Sequence, residues 1–375
     1  LLYFATHFLG SNSGVMITGS HNPPEYNGLK VVINGVGLYG DAIKGLYERA
    51  ITGRFLIGDG KRIEQSVIPD YIGRVTDNIT LHRTLKVVVD SANGVAGAVA
   101  PELFRDMGCE VVELYSEIDG HFPNHHPDPT RPENMEDLIE AVKREGADLG
   151  IGFDGDGDRL GVVDSNGHII WPDRVLMLLA DDILLRNPGA DIIYDVKSTR
   201  HIAPKVLSMG GRPVMWKTGH SLMKAKMRES GALLGGEMSG HIFIKERWYG
   251  FDDALYAAAR LLEILAAEPH ISAEIFANLP EDISTPEIHL PVSEGTQQAT
   301  MKKIIENAHF ENANLITIDG LRVEFAKGWG LVRASNTTPV LVFRFEAETE
   351  AILEEIQKQF RELLIRAVPG VKIPF

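Results

Sequence analysis

The sequence predicts an α/β chain built from successive strand–helix units and closed by a smaller α+β domain. Three observations carry this. Between Leu85 and Phe153, short apolar runs alternate with helical patterns: strand Leu85 to Asp90, a helix ending at Met107, strand Val111 to Leu114, helix Met135 to Arg144 and strand Leu149 to Phe153. Such alternation implies a parallel sheet with right-handed crossovers. The same rhythm returns between Arg174 and Leu234. After about residue 281 it gives way to a run of strands near Leu315, Val323, Leu331 and Leu341, flanked by helices Gln298 to Asn307 and Thr349 to Ile365, which reads as an antiparallel sheet with helices beside it.

Length and composition bound the rest. A chain of 375 residues with 44% hydrophobic content divides into several domains with ample cores. We expect four, over residues 1–66, 67–168, 169–280 and 281–375. The net charge of −15 argues against nucleic acid or an anionic membrane as partner. A single cysteine, Cys109, precludes an intrachain disulfide and suits the cytoplasm. No apolar run approaches the ~20 residues of a membrane helix. The opening Leu1-Leu-Tyr-Phe-Ala is apolar without a basic region, and is expected to be part of a helix rather than a signal peptide.

In the first unit, Val15 to Ile17 reads as the end of a buried strand that stops at Thr18-Gly19. Pro23-Pro24 stiffens the exit, which leaves Ser20 and His21 on a tight loop at a strand end, the usual place for chemistry on such a scaffold. Their adjacency predicts diverging side chains, so a hydrolytic dyad of these two alone is not expected. Strand Leu29 to Ile33 and helix Asp41 to Ala50 follow. Between them Gly35-Val-Gly37-Leu-Tyr-Gly40 matches a dinucleotide-binding pattern, but the glycine-rich stretch after the helix makes a poor second parallel strand, and a glycine-rich turn is the expected reading.

The second unit ends in Asp154-Gly155-Asp156-Gly157-Asp158-Arg159. Three carboxylates at alternate positions repel one another unless a cation holds them, and oxygen ligands select a hard one. Arg159 and Ser165 stand where a calcium-binding EF-hand needs Gly and Glu, so the set favours Mg²⁺, which leaves coordination positions for phosphate oxygens. His121, His125 and His126 lie in a proline-rich loop and read as solvated or packing residues rather than zinc ligands. In the third unit, strand Val214 to Trp216 precedes His220, and Leu233-Leu234 feeds Gly236-Glu237-Met238-Ser239-Gly240-His241. There Glu237 and Ser239 offer an acceptor and a donor for vicinal hydroxyls. Lys197 and His220 follow strand ends and could reach the same cleft. In the last unit Arg333, Ser335, Asn336, Thr337 and Thr338 form a set suited to clamping a phosphate.

The four loops Thr18 to Pro23, Asp154 to Arg159, Gly236 to His241 and Arg333 to Pro339, in this order, resemble the α-D-phosphohexomutase superfamily, in particular its bacterial phosphomannomutase/phosphoglucomutase branch. The resemblance implies four domains around a central cleft and a chain that starts inside the family's first domain. That domain's early Arg and aromatic contacts with substrate would then be absent. It implies phosphoryl transfer between the 1- and 6-positions of mannose and glucose phosphates through phospho-Ser20 and a 1,6-bisphosphate, with glucose 1,6-bisphosphate as activator. Mg²⁺ would sit on Ser20, Asp154, Asp156 and Asp158, with His21 and Arg159 beside them. Lys197, His220, Glu237, Met238, Ser239, Gly240, His241, Arg333, Ser335, Asn336 and Thr337 would bind substrate. The general base is open among His241, His220 and Lys30, the last needing a lowered pKa. A cytoplasmic monomer acting on hexose phosphates is expected. Phosphoglucosamine mutase and Mg²⁺-dependent sugar phosphatase are the alternatives. The former usually carries Ser-Gly-Thr-Glu-Pro where this chain has Ser335-Asn-Thr-Thr-Pro339.

Overall fold

A computed structural model describes residues 1–23, 25–335 and 338–375. Its strands form four sheets, taken up by the chain in order. The first is a three-stranded antiparallel sheet of Gly14–Ile17, Leu29–Ile33 and Val36–Gly37. The expectation of a buried strand here is corrected. Helix Leu2–Phe8 packs against Gly14–Ile17, yet Val15 and Ile17 stand 57% and 72% exposed. Apolarity of the run marked a strand, but alternation along it sends every second side chain to an uncovered face. Asn34-Gly35 makes the turn of this antiparallel hairpin, with Val36–Gly37 its return strand, and residues 53–66 beyond helix Asp41–Thr52 carry no strand.

The second sheet has the order Glu110–Leu114, Lys86–Asp90, Leu149–Phe153, Leu160–Asp164, Ile169–Ile170. Its first three strands run parallel, as the alternation with helices requires. The last two are antiparallel, so the sheet is mixed. The reason is local: between Phe153 and Leu160 lie six residues, enough for a hairpin and too few for a crossover. The carboxylate loop Asp154 to Arg159 is therefore a hairpin turn at the carboxyl edge of strand Leu149–Phe153.

The third sheet repeats the plan. Arg212–Trp216, Asp191–Asp195 and Leu234–Gly236 are parallel, and Ile242–Ile244 folds back antiparallel after the 237–241 turn. The last sheet is antiparallel throughout, with strands Leu321–Phe325, Gly328–Ala334 and Val340–Ala347 backed by helix Glu350–Ala367.

One core runs through the second and third sheets and a separate one fills the last. Helix Ala254–Ala267 lies at the centre of the larger core, in contact with helix Pro172–Arg186. Almost every face of it is buried, and Asp253 caps it by accepting from the Tyr256 N–H at 3.0 Å. Being apolar nearly all round, its sequence shows no amphipathic period, and it escaped the sequence reading. Buried arginines fasten the last sheet to the third. Arg322 is fully buried, donates to the carbonyls of Val196 (2.8 Å) and Ser198 (2.7 Å), and lies 3.9 Å over the Trp329 ring.

Candidate active site

The serine loop closes on itself through the Asn22 N–H donating to the Gly19 carbonyl at 2.9 Å. Ser20 takes a left-handed backbone, φ +51°, which brings its Oγ to 3.3 Å from Nδ1 of His21. The expected divergence of these two side chains is thus corrected: it assumed an extended backbone at Ser20. Ser20 Oγ also lies 3.0 Å from Asp154 Oδ2 and 3.1 Å from Asp156 Oδ1. Thr18 Oγ1 accepts from the Ser20 N–H at 2.9 Å and donates to Asp156 at 3.1 Å. The two loops touch backbone to backbone, since a Cβ on Gly155 would stand 2.0 Å from the Ser20 carbonyl oxygen.

Within the carboxylate loop, Asp154 Oδ1 accepts from the N–H groups of Asp158 (2.9 Å) and Arg159 (3.0 Å), and Gly157 turns at φ +71°. These bonds aim Asp154, Asp156 and Asp158 at one point, with an oxygen of each within 4.8 Å of the others. Burial, then repulsion from Asp158 and Asp156, pushes the Asp154 carboxyl well above the ordinary range. Asp158 Oδ1 is buried with no hydrogen-bond partner among the described residues. The Lys30 ammonium already lies among the three, 2.8 Å from Asp156 and in contact with Asp158. Crowded oxygens, an orphaned acceptor and a drawn-in cation are what a hard divalent ion would satisfy. The residues present fit Mg²⁺.

Lys30 does not fit the part of a base with lowered pKa. Burial works in that direction, but Asp158 and Asp156 overcome it and raise the ammonium far above its ordinary value. His21, by contrast, is held below its ordinary value by burial and by Arg159. Arg159 lies 3.9 Å from Asp128 and 4.0 Å from Asp154, and its Nε donates to Nε2 of His241 at 3.3 Å. His241, buried, stacks on His220 with ring centroids 5.3 Å apart, and both turn Nδ1 toward Asp252.

The turn Glu237 to His241 is fixed by the Glu237 N–H donating to the His241 carbonyl at 2.9 Å, with Gly240 at φ +94°. The Leu160 N–H donates to the Gly240 carbonyl at 3.0 Å, which ties this turn to the carboxylate hairpin. Asp195 Oδ1 receives the Met238 N–H at 3.4 Å. Glu237 Oε1 accepts from the Gly219 N–H, while its buried Oε2 has no partner among the described residues. Burial, then Asp195, lifts the Glu237 carboxyl to about 8. Ser239 sits half-buried at the same turn. Lys197, buried, pairs with Glu287 at 2.7 Å. Arg333 donates to Asp319 at 3.0 Å, and Asp319 also receives the Thr218 N–H at 3.0 Å, joining the last sheet to the segment that carries His220. Ser335 Oγ lies 2.9 Å from Thr338 Oγ1. Asn336 and Thr337 lie outside the described residues. A cavity of about 350 Å³ opens beside the serine loop, lined in part by Ser20, Lys30, Asp156, Asp158 and Asp252.

The structure thus links the predicted groups Ser20, His21, Lys30, the three aspartates, Arg159, His220 and His241 in one contact network. Lys197 follows strand Asp191–Asp195, Glu237 follows strand Leu234–Gly236 and Arg333 lies within strand Gly328–Ala334; the three are not among the residues lining the cavity beside Ser20. The sequence reading missed the acidic partners Asp252, Asp319, Glu287 and Asp195. Among them Asp252 had a local signal, since it precedes the capping Asp253 of an apolar helix.

Comparison with known proteins agrees along the whole chain. Residues 1–56, 69–167, 171–283 and 287–363 match the family models of phosphoglucomutase/phosphomannomutase α/β/α domains I, II and III and C-terminal domain, respectively. A phosphomannomutase/phosphoglucomutase of Pseudomonas syringae pv. tomato is 55% identical over 374 residues, covering 100% of this chain and 80% of its own length. A phosphoglucomutase of Neisseria gonorrhoeae is 52% identical over 97% of this chain and 80% of its own. The crystal structure of a phosphoglucomutase/phosphomannomutase family protein from Burkholderia thailandensis superimposes with a TM-score of 0.93 at 55% identity, covering 97% of this chain and 78% of that one. This chain belongs to the phosphoglucomutase/phosphomannomutase family.

Proposed function

We propose that this protein is a phosphomannomutase/phosphoglucomutase that moves a phosphoryl group reversibly between the 1- and 6-hydroxyls of mannose and glucose phosphates. The observation that carries the reading is Ser20 Oγ lying 3.0 and 3.1 Å from two members of a buried carboxylate triad. A serine that carries phosphate needs its departing negative charge neutralised at that position, and such transfers depend on positioning and electrostatics. Mg²⁺ held by Asp154, Asp156, Asp158 and Ser20 would supply that neutralisation as a Lewis acid.

The residues of the chain do the rest. Starting from phospho-Ser20, the P–Oγ bond breaks while a new P–O bond forms to a sugar hydroxyl, whose proton passes to a base. The product is a 1,6-bisphosphate and free Ser20. The bisphosphate turns over, its other phosphate returns to Ser20, and the isomerised monophosphate leaves. Arg159 steadies the phosphoryl group beside the serine. Glu237 and Ser239 hold the sugar hydroxyls in either orientation, and Arg333, Ser335 and Lys197 hold the distal phosphate, with Asn336 and Thr337 completing that loop. Among the three candidate bases, His241 is held below its ordinary pKa by burial, and its Nε2 accepts the Arg159 Nε–H at 3.3 Å, a bond it has to give up before it can take a proton. Glucose 1,6-bisphosphate primes Ser20 as activator, and the enzyme works as a cytoplasmic monomer in this reading. No helix among the described residues is long and apolar enough to cross a membrane.

The test offers mannose 1-phosphate, glucose 1-phosphate and glucosamine 1-phosphate separately, with Mg²⁺ and a trace of glucose 1,6-bisphosphate, and follows them by phosphorus NMR. The 6-phosphates of mannose and glucose appear, and Ser20→Ala abolishes them. Turnover of glucosamine 1-phosphate alone would replace the substrate assignment, and release of inorganic phosphate would mark a phosphatase.

A further inference from the structure

The third sheet sets strand Asp191–Asp195 between Arg212–Trp216 and Leu234–Gly236, all three parallel. Their carboxyl ends share one edge, where α/β sheets take up ligands, and the loops that follow carry Lys197, His220 and Glu237. Asp195, the last residue of the middle strand, is fully buried, and its carboxylate reaches all three loops. Oδ1 accepts from Ser198 Oγ at 2.7 Å, beside Lys197, and from the Met238 N–H at 3.4 Å, beside Glu237. Oδ2 accepts from Thr218 Oγ1 at 3.1 Å, just before His220.

These bonds close a ring around Glu237. Thr218 rests on Asp195; the next N–H, of Gly219, donates to Glu237 Oε1; and the chain returns from Glu237 through the Met238 N–H to Asp195. The main chain of Glu237 and one of its carboxyl oxygens are thus both set by Asp195. The other oxygen, Oε2, is buried and has no hydrogen-bond partner among the described residues. A buried polar atom in that condition is unfavourable until something pairs with it, and a sugar hydroxyl, donor and acceptor at once, is able to do so.

We propose that Asp195 is a positioning residue for sugar recognition. Through Thr218 and Met238 it fixes the spacing of the three loops and holds Glu237 so that Oε2 is left for one sugar hydroxyl. A group that must recognise a ligand in two orientations has to stand still, and bonds from a buried strand end supply that rigidity. The substrate rests on the mutase reading; the ring of bonds does not.

The test compares glucose 1-phosphate with its 3-deoxy and 4-deoxy analogues, by calorimetric Kd and by kcat/KM, in the parent and three variants. Asp195→Ala removes every bond. Asp195→Asn keeps an oxygen for Ser198 and Met238, and its amide can donate to the Thr218 hydroxyl, which accepts as well as donates. Thr218→Val removes one bond and keeps the side-chain shape. The parent prefers glucose 1-phosphate to at least one deoxy sugar by about tenfold or more, because a site built to bind a hydroxyl rejects the analogue lacking it. Asp195→Ala brings that preference to within about threefold of unity, Thr218→Val reduces it by about threefold, and Asp195→Asn retains it. A role in stability alone weakens all the sugars equally and leaves the ratio unchanged. An unchanged preference in Asp195→Ala, one lost as fully in Asp195→Asn, or a parent with no preference overturns the proposal. Should Asp195→Ala fail to fold, Thr218→Val decides, and the parent's preference there overturns it. A preference in binding that depends on Asp195, without mutase turnover, counts against the mutase reading alone.

Discussion

Replacing Gly155 with alanine tests the backbone contact on which the whole site depends. The added Cβ would stand 2.0 Å from the carbonyl oxygen and 2.8 Å from the carbonyl carbon of Ser20. Neither is the end of a flexible side chain, so the two loops must part by about 1.4 Å to regain ordinary contact at 3.4 Å. Overpacking of this kind costs about 1–3 kcal/mol. The larger effect is on geometry: Ser20 Oγ now sits 3.0 and 3.1 Å from Asp154 and Asp156, and a shift of that size takes it out of reach of both. A misplacement of about 1 Å costs on the order of 10²-fold in rate. The expected result is a folded protein whose kcat for glucose 1-phosphate falls about a hundredfold. It would be measured by coupled assay beside a thermal melt. Gly58→Ala, where nothing lies within 4 Å of the new Cβ, is the control and should match the parent. A Gly155→Ala enzyme within threefold of the parent would refute the backbone packing of the two loops.

Three further outcomes follow from the same geometry. Asp154→Asn can keep the two backbone N–H bonds to Oδ1 but loses a metal ligand on the Ser20 side; turnover should fall by roughly 10²- to 10³-fold, and calorimetry should show weakened Mg²⁺ binding. Glu237, raised by burial and Asp195 from its ordinary 4.5 to about 8, keeps a proton in the fold that the unfolded chain has released. Its contribution to stability is therefore fully present below 4.5 and is lost as the pH rises through about 8. Melting temperature should decline between about pH 4.5 and 8 in the parent and less steeply in Glu237→Gln, and parallel slopes would exclude this origin. Glu287→Gln releases Lys197 from its 2.7 Å ion pair, so KM for a hexose phosphate should drop by up to about tenfold; a rise in KM would show that the pair holds the lysine in its working position.

The four loops were legible in the sequence because their chemistry is local. Glycines at turns, a stiff Pro23 and carboxylates at alternate positions define a loop whatever surrounds it. Two local inferences failed because a neighbour decides them. The run Val15 to Ile17 makes a strand, but which of its faces is covered depends on a helix elsewhere. Whether Ser20 and His21 diverge depends on the sign of one φ, and the contact with Gly155 belongs to a loop 135 residues away. The acidic partners were illegible for the same reason. Nothing near Asp319 in the sequence shows that it will receive both Arg333 and the Thr218 N–H, and nothing near Glu287 points to Lys197. These pairs arise from how separate sheets face one another, which alternation of strands and helices leaves undetermined.

Those partners change how the cleft must work. A chain of net charge −15 has to bind an anion, yet each strong cation of the site already has a carboxylate. Lys30 rests on Asp156 and Asp158, Arg159 lies near Asp154 and Asp128, Lys197 pairs with Glu287, and Arg333 with Asp319. Under the proposed function, an arriving phosphate would meet donors that are ordered but neutralised, and its binding energy would be the difference between two ion pairs. That limits affinity in the ground state while keeping every donor aimed. For a reaction whose intermediate must let go, rotate and be held again by the same groups, weak grip with fixed geometry is what the chemistry needs. Each cation has a carboxylate to return to when the phosphate leaves it, so the bisphosphate can turn without stranding a buried charge.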